Sequence, residues 1–217
     1  MDDPAQETSG RTLDHAAGLY DILSPLVTFG HEPRMHRQVV SLLALGENNA
    51  VLDVGCATGT LTLRIAKECE PADGSVIGVD AASKMIQVAE RKHGKQRNLS
   101  FDAVLAEELP YADGAFDRVV STFFFHHVDR GLKERSLAEM HRVLRPGGKV
   151  VIVDVDVPTH WFGKLCAWSG YLLFRQPEIR ENIEGVLREV FDASSFASWR
   201  QVGHQLGYVS LFVLERE

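Results

Sequence analysis

Two aspartates, one glycine turn and a pair of histidines are the residues whose types and spacing could do chemistry in this chain. Val51-Leu-Asp-Val-Gly-Cys-Ala-Thr-Gly-Thr60 reads as an apolar strand (Val51, Leu52, Val54) that runs into a turn with Gly55 and Gly59. An amphipathic helix with Leu61 and Ile65 on one face follows from about Thr60. Glycine has no Cβ, so a ligand can approach the backbone closely, and a helix start offers unpaired N–H groups. A polar ligand tail can therefore sit on this turn. Asp80 ends a second apolar strand that begins at Ser75, 21 residues beyond Gly59. That is close to the ~20-residue offset at which an acidic side chain meets ribose hydroxyls. A carboxylate can accept from both hydroxyls at once. The same position is compatible with a helix N-cap for residues 82–93. His126 and His127 follow the fourth strand, where either could take a proton from a substrate, cap the next helix or simply pack.

These residues need an alternating α/β framework to bring them together. A helix from Pro33, with Met35, Val39, Val40 and Leu43 at helical spacing, precedes the first strand, and residues 13–23 are also helix-compatible. The helix after the glycine turn runs to about Glu70 and is broken by Pro71-Ala-Asp-Gly74. A helix from Ser83 carries Met85, Ile86 and Ala89, and strands are expected at 99–105 and 118–122. Phe123, Phe124 and Phe125 cannot all face one side of a strand, so at least one should wall a pocket. A helix over 132–144 leads through Arg145-Pro-Gly-Gly148 into a fifth strand, 149–155. Residues 161–174 form an unusually apolar helix, and Ile179, Ile183, Val186, Leu187 and Val190 mark one further amphipathic helix after Pro177. Residues 199–204 and 208–215 pair as a hairpin across Gln205-Leu-Gly207. No internal repeat or low-complexity segment interrupts this order.

The turn does not fit the dinucleotide fingerprint Gly-x-Gly-x-x-Gly, because Ala57 and Thr60 stand at its second and third glycines. It resembles the first motif, Asp-x-Gly-x-Gly-x-Gly, of the class I S-adenosylmethionine-dependent methyltransferases, on Asp53, Gly55, Ala57 and Gly59. The methyl of Ala57 is tolerated there if its φ is negative. Ala106-Glu-Glu-Leu-Pro-Tyr111 with Phe116-Asp117 resembles a second block of that family, although Leu105 stands where the family has an adenine-binding aspartate. Leu144-Arg-Pro-Gly-Gly-Lys-Val-Val-Ile152 resembles a further one. The ordered blocks are similar to the ubiquinone/menaquinone C-methyltransferase-like small-molecule branch.

That resemblance implies a Rossmann-like, doubly wound α/β fold with seven strands in the order 3-2-1-4-5-7-6, strand 7 antiparallel, flanked by helices. It implies a tail over 1–12 and a single domain over 13–217, with an N-terminal helical cap at 13–46 and a helical lid at 157–192. The implied cofactor is S-adenosyl-L-methionine, released as S-adenosyl-L-homocysteine, and the partner is a small-molecule methyl acceptor, apolar or aromatic. The implied cofactor residues are Tyr20 in the cap, Asp53 toward the methionine amino group, and Gly55, Cys56, Ala57 and Gly59 along the turn. Asp80 would hold ribose, Ala81 and Met85 would flank adenine with the Ala106 backbone or Glu107, and Thr122 or Phe123 would line the methionine side. His126 and His127 are the implied bases where the acceptor must lose a proton. A nicotinamide-dependent oxidoreductase and a non-catalytic binding protein of the same fold are the alternatives.

Composition narrows the rest. A chain of 217 residues, 45% hydrophobic, can bury one full core. A net charge of −7 gives no general attraction to nucleic acid. Cys56, Cys69 and Cys166 lack metal-ligand spacing and are odd in number, so no metal site and a reduced, cytoplasmic setting are expected. The 161–174 stretch is too short to cross a bilayer and is read as a lid over an apolar substrate or a peripheral membrane contact.

Overall fold

The computed structural model describes residues 30–46, 48–69 and 74–217. The expected tail at 1–12, the cap helix at 13–23 and Tyr20 lie outside the described residues. Helix α1 (Glu32–Leu43) has Pro33 in its first turn, where the missing N–H costs nothing, and buries Met35, Val39 and Leu43 on one stripe. Five parallel strands follow: β1 (Ala50–Val54), β2 (Ser75–Asp80), β3 (Leu99–Ala103), β4 (Phe116–Thr122) and β5 (Leu144–Val155). Between them run α2 (Thr60–Cys69), α3 (Ser83–His93) and α4 (Arg130–Val143). The chain ends with α5 (Trp161–Phe174), α6 (Pro177–Glu184), α7 (Val186–Ala193), β6 (Ser198–Gln205) and β7 (Val209–Glu215).

The seven strands lie in the order 3-2-1-4-5-7-6, with β7 antiparallel to both β5 and β6, as the sequence implies. Because successive side chains on a strand point to opposite faces, β1 feeds two cores. Val51 joins Val39, Ile65 and Ile86 beneath α1, α2 and α3, while Leu52 joins Leu137, Met140, Leu187 and Phe191 beneath α4 and α7. A sheet covered on both faces needs apolar residues almost throughout, which is why β1 is apolar except for Asp53 and β5 carries the apolar run Val150–Val153. The order reverses between β1 and β4, and the strand exits there face the site.

Two expected element boundaries are corrected. The single helix expected after Pro177 is two, α6 and α7, because Gly185 takes φ +97° and ends α6 with its N–H on the Asn182 carbonyl. The Pro-Gly-Gly stretch is part of β5 rather than a turn ahead of it. The β4–β5 register jumps between Phe116 and Arg118, so Pro146 falls in an irregular stretch where its missing N–H is tolerated.

Candidate active site

The turn after β1 is fastened to the end of β2. Gly55 and Cys56 donate their N–H groups to the Val79 carbonyl at 2.8 and 3.0 Å. Asp80 Oδ2 accepts from the Ala57 N–H at 3.0 Å and Oδ1 from the Ala82 N–H at 2.8 Å. Asp80 is thus no side-chain N-cap of α3, whose N-cap position is held by Ala82. Gly55, at φ +77°, is needed twice over, since a Cβ there would sit 3.0 Å from the Phe124 side chain. Ala57 has φ +48°, so the condition of a negative φ for tolerating its methyl is not met, and its N–H is held by the Asp80 carboxylate.

A cleft open to solvent lies over this turn. Of the implied site residues, it brings together Gly55, Ala57, Asp80, Ala81, Met85, Ala106, Glu107, Thr122, Phe123 and His127, with Val104, Phe124, Val128 and Leu132 completing the wall. An adjoining cleft shares Gly55, Ala57, Thr122 and Phe123 and adds Cys56, Glu32 and His36. Burial, aided by the Arg64 charge, pushes His36 down to about 4, so this imidazole is neutral at ordinary pH. Burial pushes the Cys56 thiol well up, which makes it a packing group and not a nucleophile. Ala57 and Phe123, at φ +48° and +55°, are both non-glycine residues in left-handed conformations, and both face the two clefts.

Asp53 and Gly59 lie outside these walls. A Cβ on Gly59 would be 2.6 Å from the Phe101 ring, so this glycine serves helix-to-sheet packing. Asp53 is buried beneath the turn, where Thr62 Oγ1 donates to its Oδ2 at 2.7 Å and Oδ1 has no hydrogen-bond partner among the described residues. Burial raises its pKa to about 7, against the Thr62 bond and with help from the Asp80 charge. A buried carboxyl with an unused oxygen fits a cationic or N–H-bearing ligand group, directly or through water.

At the exit of β4, the Phe123 N–H bonds to the Val153 carbonyl, Phe125 is fully buried, and a 3₁₀ turn (Phe125–His127) replaces any strand continuation. Of the three phenylalanines, Phe123 and Phe124 wall the cleft, as alternation requires of at least one. His127 lies on the cleft wall, and His126 does not. The two rings lie 3.9 Å apart, and His126 Nδ1 is 2.8 Å from Asp154 Oδ1. Asp154 is fully buried near the end of β5 and accepts from the Phe125 N–H at 2.7 Å, the Val155 N–H at 2.7 Å and Asn182 Nδ2 at 3.3 Å. With so many donors around it the carboxylate accepts, so His126 Nδ1 faces it as a donor and the ring is held in one orientation.

Sequence reasoning missed Asp154, Asn182, Thr62 and His36. Asp154 carried a signal, an acidic residue near the end of the apolar run Val150-Val-Ile-Val-Asp-Val155. Asn182 and Thr62 sit on amphipathic helices with nothing to mark them.

Open parallel α/β sheets bind their ligands at such a switch point. Residues 51–148 match the family model described as "Methyltransferase domain". The chain is 36% identical over 143 residues to a ubiquinone/menaquinone biosynthesis C-methyltransferase of Geobacter sp. (strain M21), covering 64% of this chain and 60% of that protein. It is 31% identical over 154 residues to a demethylmenaquinone methyltransferase of Staphylococcus aureus (strain JH9), covering 71% and 63%. The match thus spans about 60% of the length of these curated relatives. A SAM-dependent methyltransferase from Aquifex aeolicus shares the fold with a TM-score of 0.64 and 20% identity, over 94% of this chain and 98% of that one.

Proposed function

We propose that this chain is an S-adenosyl-L-methionine-dependent methyltransferase that acts by in-line displacement on a small, apolar or aromatic acceptor, with S-adenosyl-L-homocysteine as product. One observation carries the reading: Asp80 binds the turn from the cleft wall while Asp53 lies buried beneath the same turn with an oxygen unused. S-adenosyl-L-methionine supplies a methyl group already activated on a sulfonium. The chain's own work is then to bind, orient and exclude water, with the nucleophile held about 3 to 3.5 Å from the methyl.

In this reading Asp80 receives the ribose hydroxyls, and Ala81 and Met85 flank adenine together with Val104, Ala106 and Glu107. Leu105, which stands at the family's aspartate position, is absent from the wall, so backbone and apolar contact take over that contribution. Asp53 serves the amino group, and Gly55 to Ala57, with Cys56 behind, back the methionine. Thr122 and Phe123 separate the methionine side from the acceptor side. The aromatic and aliphatic wall of Phe124, Val128 and Leu132 suits a flat apolar ring, and the relatives' names point to a quinone-like acceptor. Where the acceptor must lose a proton, His127 stands on the wall to take it and His126, oriented by Asp154, stands directly behind. The cytoplasm is the compartment assigned, in keeping with three free cysteines.

The test is titration calorimetry with S-adenosyl-L-homocysteine. Loss of charge-assisted bonds to ribose in Asp80→Ala should weaken binding about 10- to 100-fold. No binding by the parent protein, or equal affinity in the variant, rejects the assignment.

A further inference from the structure

Five of the six large apolar side chains exposed among the described residues lie on α5: Trp161, Phe162, Leu165, Trp168 and Leu172, with Val202 the sixth. Trp161, Leu165, Trp168 and Leu172 recur at helical spacing and form one stripe, with 76%, 60%, 37% and 68% of their surface exposed. The helix already has a core side, because Ala167 and Tyr171 pack with Val155, Ile179 and Ile183. The stripe is therefore surplus to folding, and contiguous exposed apolar surface of this kind marks an interaction site. Charge distinguishes the occupants. No Asp or Glu occurs between Asp156 and Glu178, whereas Lys164 and Arg175 do, in a chain whose net charge is −7. Two copies meeting through this stripe would bring like charges together, with no acidic residue on the helix to offset them. A surface of apolar depth and negative charge complements both features.

We infer that α5 is a membrane-interface helix. Its Trp161, Leu165, Trp168 and Leu172 side chains enter the headgroup–acyl boundary of a bilayer containing anionic lipid, and Lys164 and Arg175 meet the phosphates. At 14 residues the helix is about 21 Å long, which suits lying in the interface. No helix among the described residues is long and apolar enough to cross a membrane. The position is fixed from within the fold. Gly163 lies so close to the β6–β7 turn that a Cβ would overlap the Gly207 carbonyl. His160 Nδ1 caps the helix by accepting from the Gly163 N–H. From α5 the packing runs through Ile179 and Ile183 of α6 to Val155, next to Asp154, which holds His126. This deepens the methyltransferase reading, since an apolar acceptor would enter from the bilayer beside the histidine turn.

The test sediments the full chain with vesicles of phosphatidylcholine, with and without phosphatidylglycerol. The partition coefficient should be about tenfold or more higher with the anionic lipid. Leu165→Ser with Leu172→Ser should lower it about a hundredfold. The charge-reversed Lys164→Glu with Arg175→Glu, which leaves the apolar stripe intact, should abolish the preference for anionic lipid. In a Trp199→Phe background, emission from Trp161 and Trp168 should be quenched by brominated lipid. Failure of the parent chain to sediment, or equal sedimentation of the leucine variants, overturns the inference. So does a parent dimer that the leucine variants dissociate in place of vesicle binding, which would give the stripe to a second copy. Titration of the same variants with S-adenosyl-L-homocysteine reports separately on the proposed function, because vesicle binding needs no methyl transfer.

Discussion

Replacing Asp53 with asparagine should stabilise the unliganded fold while damaging the site. The carboxyl has a pKa of about 7 in the fold against 3.8 for an exposed aspartate. Between those values the folded chain keeps a proton that the unfolded chain has released, so stability falls as pH rises from about 4 to 7 and levels off above. At about 1.4 kcal/mol per pH unit the full cost is roughly 4 kcal/mol, and relaxation around the charge reduces this to about 2 to 4. Asparagine can still accept the Thr62 hydroxyl through its Oδ1 and carries no charge to desolvate. Urea denaturation across about pH 5 to 8 should therefore find Asp53→Asn more stable than the parent by about 2 kcal/mol or more at the alkaline end, with the gap narrowing toward pH 5. Its slope between pH 5 and 7 should be shallower. Calorimetry should show weaker S-adenosyl-L-homocysteine binding despite the gain in stability. A variant that is less stable at about pH 8, or that keeps the parent's pH slope, would refute the argument that burial governs this carboxyl.

Other substitutions test single contacts. Ala57→Gly relieves a left-handed alanine and should raise stability by about 1 kcal/mol in thermal melts, with cofactor affinity kept or improved. Gly59→Ala should cost about 2 kcal/mol or more, as its Cβ would strike Phe101 at 2.6 Å and its φ is +78°; an unchanged melting temperature contradicts the packing role. Asp154→Ala should lower kcat about 10²-fold or more with cofactor affinity within a few-fold, and the nitrogen-15 shifts of His126 should lose the Nδ1-protonated pattern. Unaltered shifts would remove Asp154 as the orienting group.

The sheet could be read in the sequence because burial on both faces demands apolar runs, and glycine, proline and acidic residues bound those runs at 50–54, 75–80 and 116–122. The glycine turn, Asp80 and the histidine pair could be located from strand ends alone. Positive φ at a residue with a side chain leaves no mark in sequence, and so the left-handed conformation of Ala57 is legible only in the fold. Helical spacing from Ile179 to Val190 is continuous in sequence, and only the left-handed conformation of Gly185 splits it. Asp154 of β5 meets His126 across 28 residues of chain and Asn182 of α6 meets Asp154 across a further 28, so the cluster depends on tertiary packing.

The reversal of β7 has a further effect. Because Val209 pairs with Val155, the Gln205–Gly207 turn emerges beside the exits of β4 and β5, and not at the opposite edge where a parallel strand would have put it. The hairpin tip, against which Gly163 of α5 packs, therefore lies at the end of the sheet that carries the cleft, whose walls come from the ends of β1, β2 and β4 and the segments that follow β3 and β4. On the proposed function, changes of length or residue type in the helical insertion and this tip would leave the residues assigned to the methyl donor untouched.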